Sequence, residues 1–401
     1  MVWRWEGTWR GDNFAANLTH LVMRSRVFCF FLVILCLLGR SGAAQDSVLQ
    51  FVFTSDVHYG ITRAHFRGGD SVPSTVVSQA MIAAINRLVD YELPQDEGVG
   101  AGAKVGHIDG ILITGDIANR EETGIQSAAT SWRQFEADYD GMVKTTDRRH
   151  RPTPILLGPG NHDVTNAIGY WRVMRPASDA SSMAGIYNRM MGPSVPLTAA
   201  TYDYAADKIH YIREIGGVGL VFVNCWPDSV EQAWMEGSLK GLRPLTPVLL
   251  FTHANPDVEP RFFTNPNGNH AIDSADRFEN LLPEVYRDGR SLKDSTLIEQ
   301  RGLVAFLRHH PEIKAYFHGH NNWTQYYVWR GPDNTISLPC FRVDSPMKGA
   351  FSAKDETLLS FELITIDMRK RTMTVRECRW NTLPQDPYVL KWGMVSKKTA
   401  L

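Results

Sequence analysis

From residue 48 onward, short apolar runs rich in β-branched residues alternate with stretches whose apolar residues fall at i, i+3 and i+4. These two periods separate a strand facing a core from a helix lying on it. The runs predict strands at 48–54, 110–114, 154–157, 219–224, 248–252, 313–318, 335–338, 359–367 and 372–379. The helical period predicts helices at 74–90, 132–143, 181–191, 231–240 and 296–309. Strand followed by helix, repeated, predicts an α/β fold. From Trp323 the pattern is strand-rich with little helix, which predicts closing strands on a second sheet. Residues 98–106 (GVGAGAKVG) lack the Gly-Lys-Ser/Thr ending of a phosphate loop and precede a strand, so a flexible connection is expected there.

The amino terminus has a different pattern. Residues 27–38 (VFCFFLVILCLL) are uninterruptedly apolar, preceded by Arg24 and Arg26 and followed by Gly42-Ala43-Ala44-Gln45. This basic, apolar, small-residue order is that of a secretory signal, and the run is too short for a comfortable bilayer span. Met23 is then the expected start and cleavage is expected after Ala44. Residues 1–44 become the leader and 45–401 a single domain, since no Ser/Gly/Pro linker or charge block divides the chain. With 401 residues, 43% of them apolar, the chain is long enough to bury a sizeable core, and disorder or a coiled coil is excluded.

Without the leader, 37 basic residues stand against 41 acidic ones, a net charge of −4. Such a chain offers no dedicated nucleic-acid surface. Membrane contact is expected only through the leader before cleavage, and an anionic substrate must be attracted locally. Three cysteines remain, Cys225, Cys340 and Cys378, enough for one disulfide and a spare thiol.

The carboxyl ends of five expected strands carry Asp56-Val57-His58, Gly115-Asp116, Gly160-Asn161-His162-Asp163, His253, and His318-Gly319-His320. Open α/β sheets place ligands at those ends. Asp56 and His58 lie two residues apart as a strand runs out, so both reach one ion from short stems. Asp116 has two oxygens with which to bridge two ions. In the turn 160–163 the Asn161 amide oxygen faces a metal while His162 points to solvent. Asp, Asn and His donors without Cys favour Mn, Fe or Zn over a calcium cage or a structural zinc site. Two such ions suit phosphoryl transfer, because they hold the attacking and leaving oxygens of an in-line displacement.

The order of these five motifs across 56–320 resembles the calcineurin-like metallophosphoesterase superfamily. The resemblance implies a four-layer αββα sandwich with two mixed sheets and a pair of divalent metal ions. It implies one ion held by Asp56, His58, Asp116 and His320, and a second held by Asp116 as the bridge with Asn161, His253 and His318. It makes His162 the general acid that protonates the leaving alkoxide, and Asp163 its orienting partner. The family's last motif reads Gly-His-x-His. Phe317 stands where that Gly would, at the end of a buried strand where it need only pack. Arg120 sits where the phosphoprotein-phosphatase branch has an arginine that clamps the substrate phosphate, although Asn119 replaces that branch's Asp.

The interval between His253 and His318 is long, and its stretch at about 254–295 is rich in Pro, Asn and aromatic residues. A flap over the metals is expected there, with His270 as a candidate substrate contact. Trp226 and Trp323 either wall the cleft or pack. The expected function is a secreted or periplasmic phosphoric-ester hydrolase in which a metal-bridging hydroxide attacks phosphorus. Its substrate is a small phosphomonoester or phosphodiester. The rivals are a non-catalytic secreted phospho-ligand-binding protein, against which the intact His162 and Asp163 argue, and a nucleotide or lipid pyrophosphatase using the same site.

Overall fold

The computed structural model describes residues 48–118, 126–164, 179–204, 206–257, 286–287, 290–291, 295–386 and 389–401. In chain order the strands are β1 (Val48–Thr54), β2 (Thr62–Phe66), β3 (Gly69–Pro73), β4 (Gly110–Thr114), β5 (Ile155–Gly158), β6 (Tyr211–Ile215), β7 (Val218–Phe222), β8 (Val248–Phe251), β9 (Tyr286–Arg287), β10 (Arg290–Ser291), β11 (Ile313–His318), β12 (Gln325–Trp329), β13 (Leu338–Arg342), β14 (Ser360–Asp367), β15 (Thr372–Arg379), β16 (Lys391–Val395) and β17 (Thr399–Ala400). The helices are α1 (Ser74–Leu88), α2 (Ala128–Met142), the single turn α3 (Asn161–Val164), α4 (Ser181–Met191), α5 (Ser229–Ser238) and α6 (Ser295–His309).

Near-continuous apolar runs form strands buried on both faces, and such strands pair in parallel. β1, β4 and β5 do so in the first sheet, whose order is β16-β15-β14-β1-β4-β5 with β17 alongside β15. β7, β8, β11 and β13 do so in the second, whose order is β12-β13-β11-β8-β7-β6. Antiparallel neighbours complete both, so each sheet is mixed.

The sheets face one another through aromatic rings. On the second sheet Tyr211, Phe222, Phe251, Phe317 and Phe341 are in register on adjacent strands and stack 4.8–5.0 Å apart. Phe53 of β1 meets this ladder edge-on, 5.9 Å from Phe251 and 5.5 Å from Phe317. Phe317 therefore packs between the sheets, as expected of it. Outside the first sheet, α1 reaches β1 through Thr54 and Met81, and α2 joins α1 where Gln79 donates to Asp138. α4 closes the edge beside β5 through Met190, and α5 and α6 pack together on the second sheet's side. The fold is the expected α/β sandwich of two mixed sheets between helical layers.

Helix boundaries follow local capping. Ser127 Oγ accepts the Thr130 N–H at 3.2 Å to open α2, and Asp228 accepts from Val230 and Glu231 to open α5. Among the strands, β6, β12 and β16 escape the sequence pattern because they lie at sheet edges, where one side of the ladder meets solvent and apolar alternation weakens. The strand expected at 335–338 forms later, as β13, and contains Pro339. The closing strands divide: β12 and β13 join the second sheet, but β14 to β17 complete the first.

Residues 98–106 are not a loose connection. Val99 N–H donates to Thr374 Oγ1, and Leu93 pairs with Ala103 and Gly102. Cys225, Cys340 and Cys378 are buried free thiols, so none of them forms the disulfide their number allows. Among the described residues no helix is long and apolar enough to cross a membrane. The expected leader and most of the expected flap lie outside the described residues.

Candidate metal centre

β1, β4, β5, β8 and β11 deliver the five motifs to one rim, and the chain bends sharply as it leaves the strands. Asp56, His58, Asp116 and His320 have φ of +55°, +42°, +52° and +66°, in the left-handed region that non-glycine residues seldom occupy. Such strain persists only where the surroundings impose it. Here the chain after β1 is zipped to the chain after β4: Asp56 N–H donates to Gly115 O (3.0 Å), His58 N–H to Asp116 O (2.9 Å) and Tyr59 N–H to Ile117 O (2.8 Å). Two glycines permit the closeness. A Cβ on Gly160 would strike Asp116, and one on Gly319 would strike Ser55 and Asp56.

The donors converge on two adjoining groups. In the first, His58 Nε2 lies 3.7 Å from Asp56 Oδ1 and 3.6 Å from Asp116 Oδ2. In the second, His253 Nε2, Asn161 Oδ1 and His320 Nδ1 lie 3.0–3.2 Å from one another. Asp116 Oδ2 joins the two groups, at 3.4 Å from His253 Nε2. The backbone holds the remaining atoms. His253 Nδ1–H donates to Thr114 O (2.7 Å), which aims Nε2 into the cluster. Asp116 Oδ1 accepts the His162 N–H (2.8 Å), and Asp56 Oδ2 accepts the His320 N–H (3.0 Å).

This set fits a metal site. Asp56, Asp116 and His253 each offer an atom within 4.8 Å of the others. Asp56 Oδ1 is buried without a hydrogen-bond donor. The second group gathers an amide oxygen and two imidazole nitrogens, atoms that can each offer a lone pair to a cation. The electrostatics agree. Burial pushes the Asp56 carboxyl up to about 6. Burial also opposes charge on His253, but Asp116 and Asp56 outweigh it and raise the imidazole to about 9. Burial and the His253 charge push His320 down to about 3. Two buried carboxylates thus draw positive charge to the spot, and the donor types suit Mn, Fe or Zn.

Two of the expected residues make other contacts in this structure. His318 does not enter the cluster. As the last residue of β11 it alternates with Phe317 and shares the face of Tyr316, turned from the inter-sheet ladder. Its Nε2 pairs with Tyr327 OH (2.8 Å) and its Nδ1 with Gly319 O (3.1 Å). His320, expected beside Asp56 and His58, takes the place expected of His318. Asp163 is not beside the His162 ring as its orienting partner. Its carboxylate is spent on the N–H groups of Ile117, Ala118 and Gly160 and on the Ser182 hydroxyl. Burial, reinforced by Asp116, raises it to about 6.

His162 itself stands half-buried at the rim, its ring edge-on to His58 with centroids 5.4 Å apart. Trp226 is buried and donates to Asn255 O (3.1 Å), so it packs. Trp323 lies under the Arg342 guanidinium, 3.5 Å from ring centroid to Arg342 Cζ. Arg120 and His270 lie outside the described residues. Sequence reasoning passed over Lys348, whose Nζ lies 3.5 Å from His162 Nε2. Beside His320, the Oδ1 atoms of Asn321 and Asn322 are buried without a hydrogen-bond donor. The two asparagines directly follow the His-x-His motif and were open to inspection, but Lys348 belongs to no motif.

A family model described as calcineurin-like phosphoesterase matches residues 49–344. No curated protein matches. Solved structures of Vps29 are similar at a low level. A single mutant of the Entamoeba histolytica protein has 11% identity and a TM-score of 0.31, covering 87% of this chain and 100% of its own. The wild-type protein from the same organism, complexed with zinc, has 11% identity and a TM-score of 0.32, covering 86% and 97%. Vps29 from Chaetomium thermophilum has 7% identity and a TM-score of 0.31, covering 88% and 98%. Likeness at that level carries no argument about function.

Proposed function

The chain belongs to the calcineurin-like phosphoesterases, and from that premise we propose that it is an exported hydrolase of small phosphoric esters in which His162 protonates the leaving group. The observation that supports the reading best is Asp116, whose Oδ2 faces both donor groups while its backbone is locked to the loop after β1.

Asp56, His58 and Asp116 would hold one ion, and Asp116, Asn161, His253 and His320 the other. When bound, the ions supply a water of lowered pKa and positive charge for the phosphoryl oxygens. The protein's own groups supply position and a proton. Asp116 Oδ1 fixes the His162 backbone, and His58 supports its ring, so the imidazole is held at the mouth of the site and not among the ligands. An imidazole there can deliver a proton to a departing alkoxide, which otherwise leaves poorly at neutral pH. The basic and apolar leader, residues 1–44, supports export to a secreted or periplasmic location.

The test is a leaving-group series. His162→Ala should keep its metal and lose roughly 10²- to 10⁴-fold in turnover on alkyl phosphates. On nitrophenyl esters, whose leaving group needs no proton, it should lose little. Equal losses on both would contradict His162 as the acid.

A further inference from the structure

We propose that Lys348 binds the phosphoryl group of the substrate directly and makes the site select phosphomonoesters over phosphodiesters. The proposal rests on the hydrolase reading above and narrows its substrate class.

Lys348 comes from the segment after β13, remote in sequence from the other site residues, yet its backbone is tied to the centre. Ser345 Oγ donates to the Asp56 carbonyl (2.8 Å) and accepts the N–H groups of Met347 (3.2 Å) and Lys348 (2.9 Å). Gly349 N–H donates to Ser345 O (3.2 Å), and the Arg63 guanidinium holds Pro346 O (2.8 Å). Ala350 N–H reaches Asn322 O (2.6 Å), which follows the motif containing His320. The knot therefore fixes Lys348 to the residue that opens the metal centre. From there the half-buried side chain brings Nζ to 3.5 Å from His162 Nε2.

Chemistry assigns that position. A phosphomonoester dianion presents three non-bridging oxygens and one ester oxygen. The ester oxygen would face His162, and metal held by Asp116 and its neighbours would neutralise charge on the oxygens turned toward it. A non-bridging oxygen turned away from the metal requires a cation, and an ammonium with three donors on a flexible stem suits it. In a phosphodiester that oxygen is esterified: one negative charge is lost, and carbon is presented where Lys348 expects an anion. Lys348 thus rewards the monoester and gains little from the diester.

The experiment compares wild type, Lys348→Met and Lys348→Arg, each loaded with Mn. It measures kcat/KM on p-nitrophenyl phosphate and bis-p-nitrophenyl phosphate, orthophosphate affinity by calorimetry, and metal content. Lys348→Met should lose about 10- to 100-fold on the monoester, the scale of one charge-assisted hydrogen bond. It should change less than about threefold on the diester. Orthophosphate affinity should fall at least about tenfold, with metal content intact and Lys348→Arg largely restored. An unchanged ratio between the two esters, or unchanged orthophosphate affinity, would overturn the proposal. Absence of turnover in the wild type would count against the hydrolase reading instead, and orthophosphate affinity would then decide Lys348 alone.

Discussion

His318 and His320 are separated by one glycine and have different fates, because the first still obeys strand alternation and the second has left it. The sequence displays both imidazoles at ligand spacing, but not the face on which the strand's last side chain falls. That face is set by Phe317, which the aromatic ladder draws between the sheets and which leaves His318 facing Tyr327. Substitution separates the two. His320→Gln should lose the second ion, with at least about a tenfold fall in affinity for a removed nitrogen ligand. His318→Gln should retain both ions by elemental analysis; loss of metal from His318→Gln with retention in His320→Gln would reverse the assignment. The other candidate ligands, Asp56, His58, Asp116, Asn161 and His253, could be singled out because each sits within a few residues of a strand's end. Lys348 could not, because only the folded path of the segment after β13 brings it beside His162.

At the scale of elements, the centre depends on loops that hold one another. The Asp163 carboxylate is the strut between the turn after β4, the turn after β5 and the start of α4. The family resemblance implied a partner for the His162 ring, but a single helical turn points neighbouring side chains in different directions. Asp163→Ala would leave several buried donors without an acceptor. Its expected cost is about 2–4 kcal/mol in denaturant unfolding, with weaker metal retention as Asp116 and Asn161 drift. A variant of unchanged stability that lost only turnover would restore the role of an imidazole partner. The helices and central strands were legible from periodicity, since burial on one face or both imposes a strong pattern. Edge strands β6, β12 and β16 were not, for the same reason inverted: solvent on one flank permits Arg, Glu, Gln and Lys in the run.

Across the whole molecule the donor set spans both sheets. Asp56, His58, Asp116 and Asn161 come from the ends of strands in the first, and His253 and His320 from the second. The aromatic ladder aligns the sheets, and the rim they share is where the chain concentrates histidine and carboxylate. The central claim is that this rim is a metal-dependent phosphoesterase site. Its most direct test is to strip the purified protein of metal, reload it with Mn, Fe or Zn, and measure turnover of p-nitrophenyl phosphate. The account predicts no turnover in the stripped protein and restored turnover with at least one metal, abolished again in Asp116→Ala. Two bound ions without turnover for any metal, or turnover that survives both stripping and Asp116→Ala, would contradict it.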